Sequence, residues 1–316
     1  MTEPVFFCRN ITKTYEGEAV IRGIDLDLPR GGIISLVGPS GVGKTTLFNI
    51  LAGVDPADEG RIVLDGRDIT GISGKVSYMM QKDLLLEYRT VLDNVILPLV
   101  IKKTFGGGFF RRGLKRAREY GASFFRTFGL AGCEHKYPRQ LSGGMRQRAA
   151  LLRTCMQNYR DPETSTEGRE VPGGGNGSPP PVPSVILLDE PFSALDALTR
   201  RTMQAWFLDI ARSMELSSLF ITHDVEEAVI LSDRVYVMTA EGPGPAAEDH
   251  GPAAGGLGPV VRGLGPTVRG PGRISAVFDK PGPARRENED FSLTPEFTEL
   301  KKRILRAVER RRRFPS

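Results

Sequence analysis

The chain has 316 residues, 40% apolar and 26% charged, the balance of a soluble globular protein with room for one large domain or two small ones. Its longest apolar runs, Val95 to Ile101 and Val185 to Leu188, are far too short to cross a bilayer, and no secretory signal is visible, so a membrane role requires a partner. The formal charge is only +5, with the basic excess near the end, at Lys301, Lys302, Arg303, Arg306 and Arg310 to Arg313, which reads as a solvated helix face and tail; no nucleic acid is expected as a partner.

Val5 to Phe7 and Ala19 to Leu28 have the alternating or β-branched character of strands. Ile33 to Val37 is a short apolar strand ending at Gly38, and the stretch from Thr45 to Leu51 turns helical. Gly60 to Leu64 and Lys75 to Tyr78 give two further strands. Thr90 is an N-cap for a helix carrying Val91, Leu92, Val95, Ile96 and Leu99 at helical spacing. Gly106 to Gly108 separate it from a second helix, Leu114 to Phe128. Val185 to Leu188 and Leu219 to Thr222 are strands of buried type, with a helix from Thr199 to Met214 between them. Strands alternating with helices imply a parallel sheet. Pro295 to Arg313 reads as an amphipathic helix with Phe297, Leu300, Ile304 and Val308 on one face.

Two segments lack the composition of a core. Val171 to Ser184 has nine Gly or Pro in fourteen residues, and Gly242 to Gly272 has sixteen in thirty-one, too many to bury apolar surface. The second contains a tandem repeat, Gly256 to Arg262 then Gly263 to Arg269. Both are expected to be flexible surface insertions.

The chemistry gathers at three places. The first is Gly38-Pro39-Ser40-Gly41-Val42-Gly43-Lys44-Thr45-Thr46, between a strand and a helix. Glycines let the backbone wrap an anion with its N–H groups inward, and the helix start adds its dipole. Lys44 can reach the β- and γ-phosphates, and the Thr45 hydroxyl can ligate Mg²⁺. The second is Val185 to Leu188 followed by Asp189 and Glu190. Ligands of open parallel sheets bind at that end of a strand. Asp189 is placed to hold Mg²⁺ through water, and Glu190 to orient or deprotonate an attacking water. The third is Leu141-Ser142-Gly143-Gly144-Met145-Arg146-Gln147-Arg148, where Ser142 caps a helix running to Met156. That is a second anion-binding helix start, which one chain can rarely aim at the same triphosphate as the first. Cys8, Cys133 and Cys155 are scattered without metal-ligand spacing or an even count, which fits a reducing cytoplasm.

In these residues the chain resembles the nucleotide-binding subunits of ABC transporters. The phosphate loop is similar to the family's Walker A motif, Ser142-Gly143-Gly144 to its signature, and Asp189-Glu190 to Walker B with its following glutamate. Gln81 falls at the Q-loop, Asp196 at the D-loop, His223 at the switch histidine and Tyr15 at the adenine-stacking aromatic. The resemblance implies an α/β P-loop NTPase with a mixed core sheet, an antiparallel β subdomain and an inserted helical subdomain. It divides the chain into an ATPase domain over 1–240, a flexible insertion over 241–272, and a C-terminal strand and amphipathic helix over 273–316. The helical subdomain spans about 82–145 and a Gly/Pro-rich insertion about 158–184.

The resemblance also implies ATP and Mg²⁺ as cofactors and a head-to-tail homodimer. In it Ser142, Gly143 and Gly144 of one subunit approach the phosphate held by Lys44 of the other, and Asp196 lines the interface. Glu190, His223 and Lys44 are then the catalytic residues, and Thr45, Gln81 and Asp189 the metal ligands. Membrane partners would be permease subunits, with a solute-binding protein acting indirectly, and the chain would sit peripherally on the cytoplasmic face of the membrane. Met79 to Leu86, Thr90 to Val95, Tyr137 to Gln140 and Pro271-Gly272-Arg273-Ile274 look like the nitrate/sulfonate/taurine importer group. Importers of thiamine-precursor-like compounds share much of this pattern, and a lipoprotein-release or export ATPase is a further alternative.

Overall fold

The computed structural model describes residues 4–102, 110–158, 185–240, 270–280 and 291–309. β1 (Pro4–Tyr15) and β2 (Glu18–Pro29) form a hairpin whose two turn residues, Glu16 and Gly17, both have positive φ, 51° and 85°. That turn carries the right-handed twist of its strands. β1 runs well past the predicted Phe7. A register shift between Cys8 and Ile11, with Asn10 at φ 52°, breaks the alternation and hides the strand's second half in the sequence. β3 (Ile33–Val37) and α1 (Lys44–Leu51) follow as predicted, then β4 (Glu59–Leu64), β5 (Arg67–Asp68) and β6 (Ser77–Met79).

The helix predicted from Thr90 is two short ones, α2 (Val91–Val95) and α3 (Leu97–Ile101). Thr90 does cap the first, its hydroxyl accepting from Asp93 N at 3.1 Å. Pro98 cannot continue a hydrogen-bond ladder and opens the second in its first turn. α4 (Phe110–Ser123) stops short of the predicted Phe128. Buried Phe124, Phe125 and Phe128 lie in a turn that ends at Gly129, φ 65°. α5 (Gly143–Cys155), β7 (Val185–Asp189), α6 (Ala197–Ser213), β8 (Ser217–Thr222), α7 (Val225–Leu231), β9 (Arg234–Ala240), β10 (Gly272–Asp279) and α8 (Pro295–Glu309) complete the order. The predicted Gly106–Gly108 break, the two Gly/Pro-rich segments with their repeat (apart from 270–272) and the tail Arg310–Arg313 lie outside the described residues.

Among the described residues ten strands join in one mixed sheet, in the order β5-β4-β1-β2-β10-β9-β3-β8-β7-β6. β9, β3, β8, β7 and β6 are mutually parallel, and β1, β2, β4 and β5 are antiparallel. The two halves meet through β10, antiparallel to β9 and touching β2 at the single pair Gly272–Ile21. Because side chains alternate along a strand, β7 sends Ile186 and Leu188 into the core shared with α2, α4, α5 and α6. It sends Val185 and Leu187 into the core shared with α1 and the antiparallel strands. A third core lies between β9, α7 and α8, where Phe297, Leu300 and Ile304 are buried and Val308 is half-buried. The carboxyl ends of β3, β6, β7 and β8 therefore open together on one edge of the parallel half, where the predicted residues lie.

Candidate active site

The phosphate loop leaves β3 at Gly38 and enters α1 at Lys44, and it is pressed against the strands behind it. A Cβ on Gly38 would sit 2.2 Å from Met238 O, and one on Gly43 2.6 Å from Ile21 Cγ2. Gly43 also has φ 98°, which L side chains avoid. Lys44 is buried, at 8% exposure, and its ammonium donates to the carbonyls of Gly38 (2.9 Å) and Pro39 (2.8 Å). Burial lowers its pKa, opposed by the charges of Glu190 and Asp189. The loop thus holds a desolvated cation on neutral acceptors, which a phosphate would replace with charged ones. Ser40, Gly41 and Thr45 are exposed, Pro39 and Thr46 half-buried, and Val42 buried.

Asp189 ends β7 and is 7% exposed. Burial, then the charge of Glu190, raise its pKa, and Lys44 opposes them. The Tyr78 hydroxyl lies 3.5 Å from its Oδ2. Glu190, the next residue, has φ 46°, uncommon for a side chain without a local reason. Its N–H reaches Ile221 O at 2.9 Å, and its carbonyl accepts from Ser193 N (3.2 Å) and Oγ (2.9 Å). The backbone kink aims the carboxylate between two side chains. Gln81 Nε2 donates to Oε2 and His223 Nδ1 meets Oε1, each at 3.0 Å. Two side chains thereby converge on one carboxylate, all three residues following neighbouring parallel strands. Gln81 follows β6, Glu190 follows β7 and His223 follows β8, and Lys44 opens α1 nearby. The structure brings Gln81 to Glu190, a contact the sequence reading did not foresee when it made Gln81 a metal ligand.

Tyr15 ends β1 with 43% exposure, its ring face free for stacking apart from Lys13 Nζ at 5.1 Å from the centroid. Its hydroxyl lies 3.5 Å from Asp55 Oδ2. Ser142 caps α5 by accepting from Met145 N at 3.4 Å. Cβ atoms on Gly143 and Gly144 would meet Leu195, Thr199 and Met203, so the signature lies beside the start of α6. There Asp196 caps the helix, accepting from Thr199 N at 3.0 Å. Ser142, Gly143, Asp196 and Leu198 are all exposed on this surface.

Sequence reasoning quoted Arg146 within the signature but missed its bonds. It reaches Asp83 through Nε (2.8 Å) and Nη2 (3.2 Å), and Glu87 through Nη1 (2.8 Å). Arg153 adds a bond to Leu84 O at 2.7 Å and another to Asp83 O. The segment after Gln81 is therefore tied to the signature helix. Buried Asn94 was also missed as a functional residue. It accepts from Leu86 N (2.7 Å) and donates to the carbonyls of Leu86 (3.1 Å), Arg89 (3.3 Å) and Thr90 (3.0 Å). No spacing signal predicts either network.

Curated proteins of known sequence decide the family. The aliphatic sulfonates import ATP-binding protein SsuB of Bacillus cereus is 30% identical over 293 residues, covering 92% of this chain and 89% of that one. The chain belongs to the ABC transporter ATP-binding family. The family described as ABC transporter matches residues 21–160. The formylaminopyrimidine import ATP-binding protein ThiZ of Halalkalibacterium halodurans is 36% identical over 220 residues, covering 70% of this chain and 73% of that one. Among solved structures, a bacterial ABC transporter cassette in dimeric form is 25% identical with a TM-score of 0.55, covering 73% of this chain and 93% of that one. This chain is thus an ATPase of the ABC type, with the cassette fold and its mixed sheet. Among the described residues no helix is long and apolar enough to cross a membrane.

The donor set fits a hard cation. Thr45 offers a hydroxyl, Asp189 a buried carboxylate and Gln81 an amide oxygen. Among the described residues no three His, Cys, Asp or Glu side chains gather as a metal cage. Mg²⁺ takes such sparse oxygen sets when substrate phosphates complete its shell.

Proposed function

We propose that this cassette is the ATP-hydrolysing motor of an importer for a small solute of the nitrate, sulfonate or taurine type. The observation that carries hydrolysis is the Glu190 carboxylate held by Gln81 and His223 at 3.0 Å each, beside buried Lys44. ATP enters with its base on Tyr15 and its phosphates in the loop Gly38 to Thr46, where Lys44 exchanges two carbonyls for phosphate oxygens. Mg²⁺, held by Thr45, Asp189 and Gln81, would neutralise charge on the β- and γ-phosphates. Glu190 takes a proton from water as the water oxygen bonds to the γ-phosphorus and the bond to the β-phosphate oxygen breaks. His223 turns from Glu190 to the γ-phosphate.

The exposed signature supports a head-to-tail homodimer. In it Ser142, Gly143 and Gly144 close over the partner's nucleotide, and Asp196 lies in the interface. This gives the chain's second anion-binding helix start a phosphate to bind. The exposed Met80, Leu84 and Tyr88, on the segment anchored by Arg146 and Asn94, suit docking of a permease subunit on the cytoplasmic face. The sulfonate reading is supported by the length of the match to SsuB, and a thiamine-precursor cargo by the match to ThiZ.

Glu190→Gln should retain ATP binding, lower turnover by about 10²-fold or more and trap an ATP-bound dimer in gel filtration. Unchanged hydrolysis would sink the assignment of Glu190. Deleting the gene should abolish growth on sulfonates as sole sulfur source. Normal growth there with failed uptake of a formylaminopyrimidine would transfer the cargo to the second class.

A further inference from the structure

Tyr78 takes no part in the steps above, yet it is held more firmly than an edge residue requires. Among the described residues β6 is the outermost strand of the sheet, with Ser77 to Met79 paired to Ile186 to Leu188 of β7 on one side. On the other side the Gln157 side chain stands where a further strand would. It accepts from Tyr78 N at 2.9 Å and donates to Tyr78 O at 3.3 Å. Both backbone polar groups are thereby paired. The ring lies edge-on to Phe48 of α1, with centroids 6.1 Å apart and planes at 74°. The hydroxyl is aimed at two acceptors, Asn49 Oδ1 at 3.4 Å and Asp189 Oδ2 at 3.5 Å. Both contacts are long for O–H···O bonds, and catalytic hydrogen bonds commonly tighten when a site is loaded.

We propose that Tyr78 is a positioning residue of the cation site, donating its single proton to Asp189 Oδ2 and so presenting Oδ1 to the metal's coordination shell. This rests on the proposed role of Asp189 as a cation ligand. A carboxylate ending a strand is free to rotate about its last torsion, and a donor fixed on one oxygen removes that freedom. Donors behind metal ligands act in this way, and their loss weakens metal affinity by about 10–100-fold. Asn49 competes for the same proton. Its own amide donates to Asp55 Oδ2 at 3.3 Å, the oxygen that faces the Tyr15 hydroxyl at 3.5 Å. A polar chain thus runs from the base-stacking tyrosine to the metal carboxylate, with Tyr78 at its inner end.

The test uses Mn²⁺ as the spectroscopic probe, titrated by electron paramagnetic resonance into the full chain with ADP. Tyr78→Phe keeps the ring on Phe48 and removes only the hydroxyl. It should weaken Mn²⁺ binding about 10-fold, with nucleotide affinity in EDTA and melting temperature unchanged. Asn49→Ala frees the hydroxyl for Asp189 and should leave Mn²⁺ affinity equal or higher. Unchanged Mn²⁺ affinity in Tyr78→Phe would overturn the proposal, as would an equal loss in Asn49→Ala, which would mark general loosening. Asp189→Asn separates the two levels. If it too leaves Mn²⁺ binding intact, the cation site itself is misassigned. If it weakens binding while Tyr78→Phe does not, only the role of Tyr78 fails.

Discussion

Replacing Gly272 with Ala should weaken nucleotide binding from outside the nucleotide site. Gly272 begins β10, beyond the long Gly/Pro-rich segment, and seats the phosphate loop from behind. A Cβ there would fall 2.1 Å from Val42 O and 2.4 Å from Met238 Cε, where ordinary contact starts at 3.4 Å. The Met238 methyl can swing aside, but the Val42 carbonyl is backbone and must move by about 1.3 Å. Gly272 is not among the positive-φ residues, so alanine meets no torsional strain and the effect is purely steric. Overpacking of this kind costs about 1–3 kcal/mol. Charged to the anion-ready form of the loop, that is a rise in Kd of about 5- to 150-fold. Titration with a fluorescent ATP analogue measures it. Val277→Ala, an exposed change on the same strand, controls for damage to β10. Unchanged affinity in Gly272→Ala, or an equal loss in Val277→Ala, would refute the seat.

Two further outcomes follow from polar side chains held by backbone carbonyls. Asn94→Ala strips four hydrogen bonds from the segment 86–90. It should cost about 3 kcal/mol and lower the melting temperature by several degrees in circular dichroism, and an unshifted transition would show that water replaces the amide. Lys280, whose ammonium donates to Ile230 O at 3.1 Å, has its pKa lowered to about 8 by burial. Its folded pKa lies below the unfolded one, so between about pH 8 and the ordinary lysine range the unfolded chain binds more protons and stability rises with pH. Thermal melts across that window should show wild type gaining on Lys280→Met, and a flat difference would exclude the titration of Lys280.

In the parallel half of the fold β3, β7 and β8 were legible because each short apolar run gives way to the polar residues of a motif, whereas β9, which leads into no motif, was not read. Val37 gives way to the phosphate loop, Leu188 to Asp189 and Glu190, Thr222 to His223. The antiparallel half was harder to read. The bulge at Asn10 breaks the alternation of β1, and β10 pairs across a segment of some thirty residues that no local pattern bridges. Motif order located Gln81, Glu190 and His223 but could not say that the three touch, since each lies after a different strand and their meeting depends on the strand order. Tyr78, Asn94 and Gly272 escaped for a related reason. Their tasks lie in contacts with Asp189, Leu86 and Val42, and a single sequence records identity without contact.

The grip of Gln81 and His223 on Glu190 does not by itself disable the base. An ionised carboxylate offers about four lone-pair sites on its two oxygens, and the two side chains occupy one on each. What they fix is direction, since a carboxylate anchored at both oxygens cannot turn away from the buried end of β7. Lys44 is in the complementary situation, satisfied by two neutral carbonyls that a bound phosphate would outbid by charge. The Glu190 carboxylate is therefore held in one direction, while Lys44 rests on neutral acceptors alone. ATP can recruit Lys44 by direct competition. His223 is half of the carboxylate's anchor, and under the proposed mechanism it would leave Glu190 when a γ-phosphate offers it a stronger acceptor. Cleavage would then be coupled to the presence of the third phosphate, and ADP, which lacks it, would leave His223 where this structure has it.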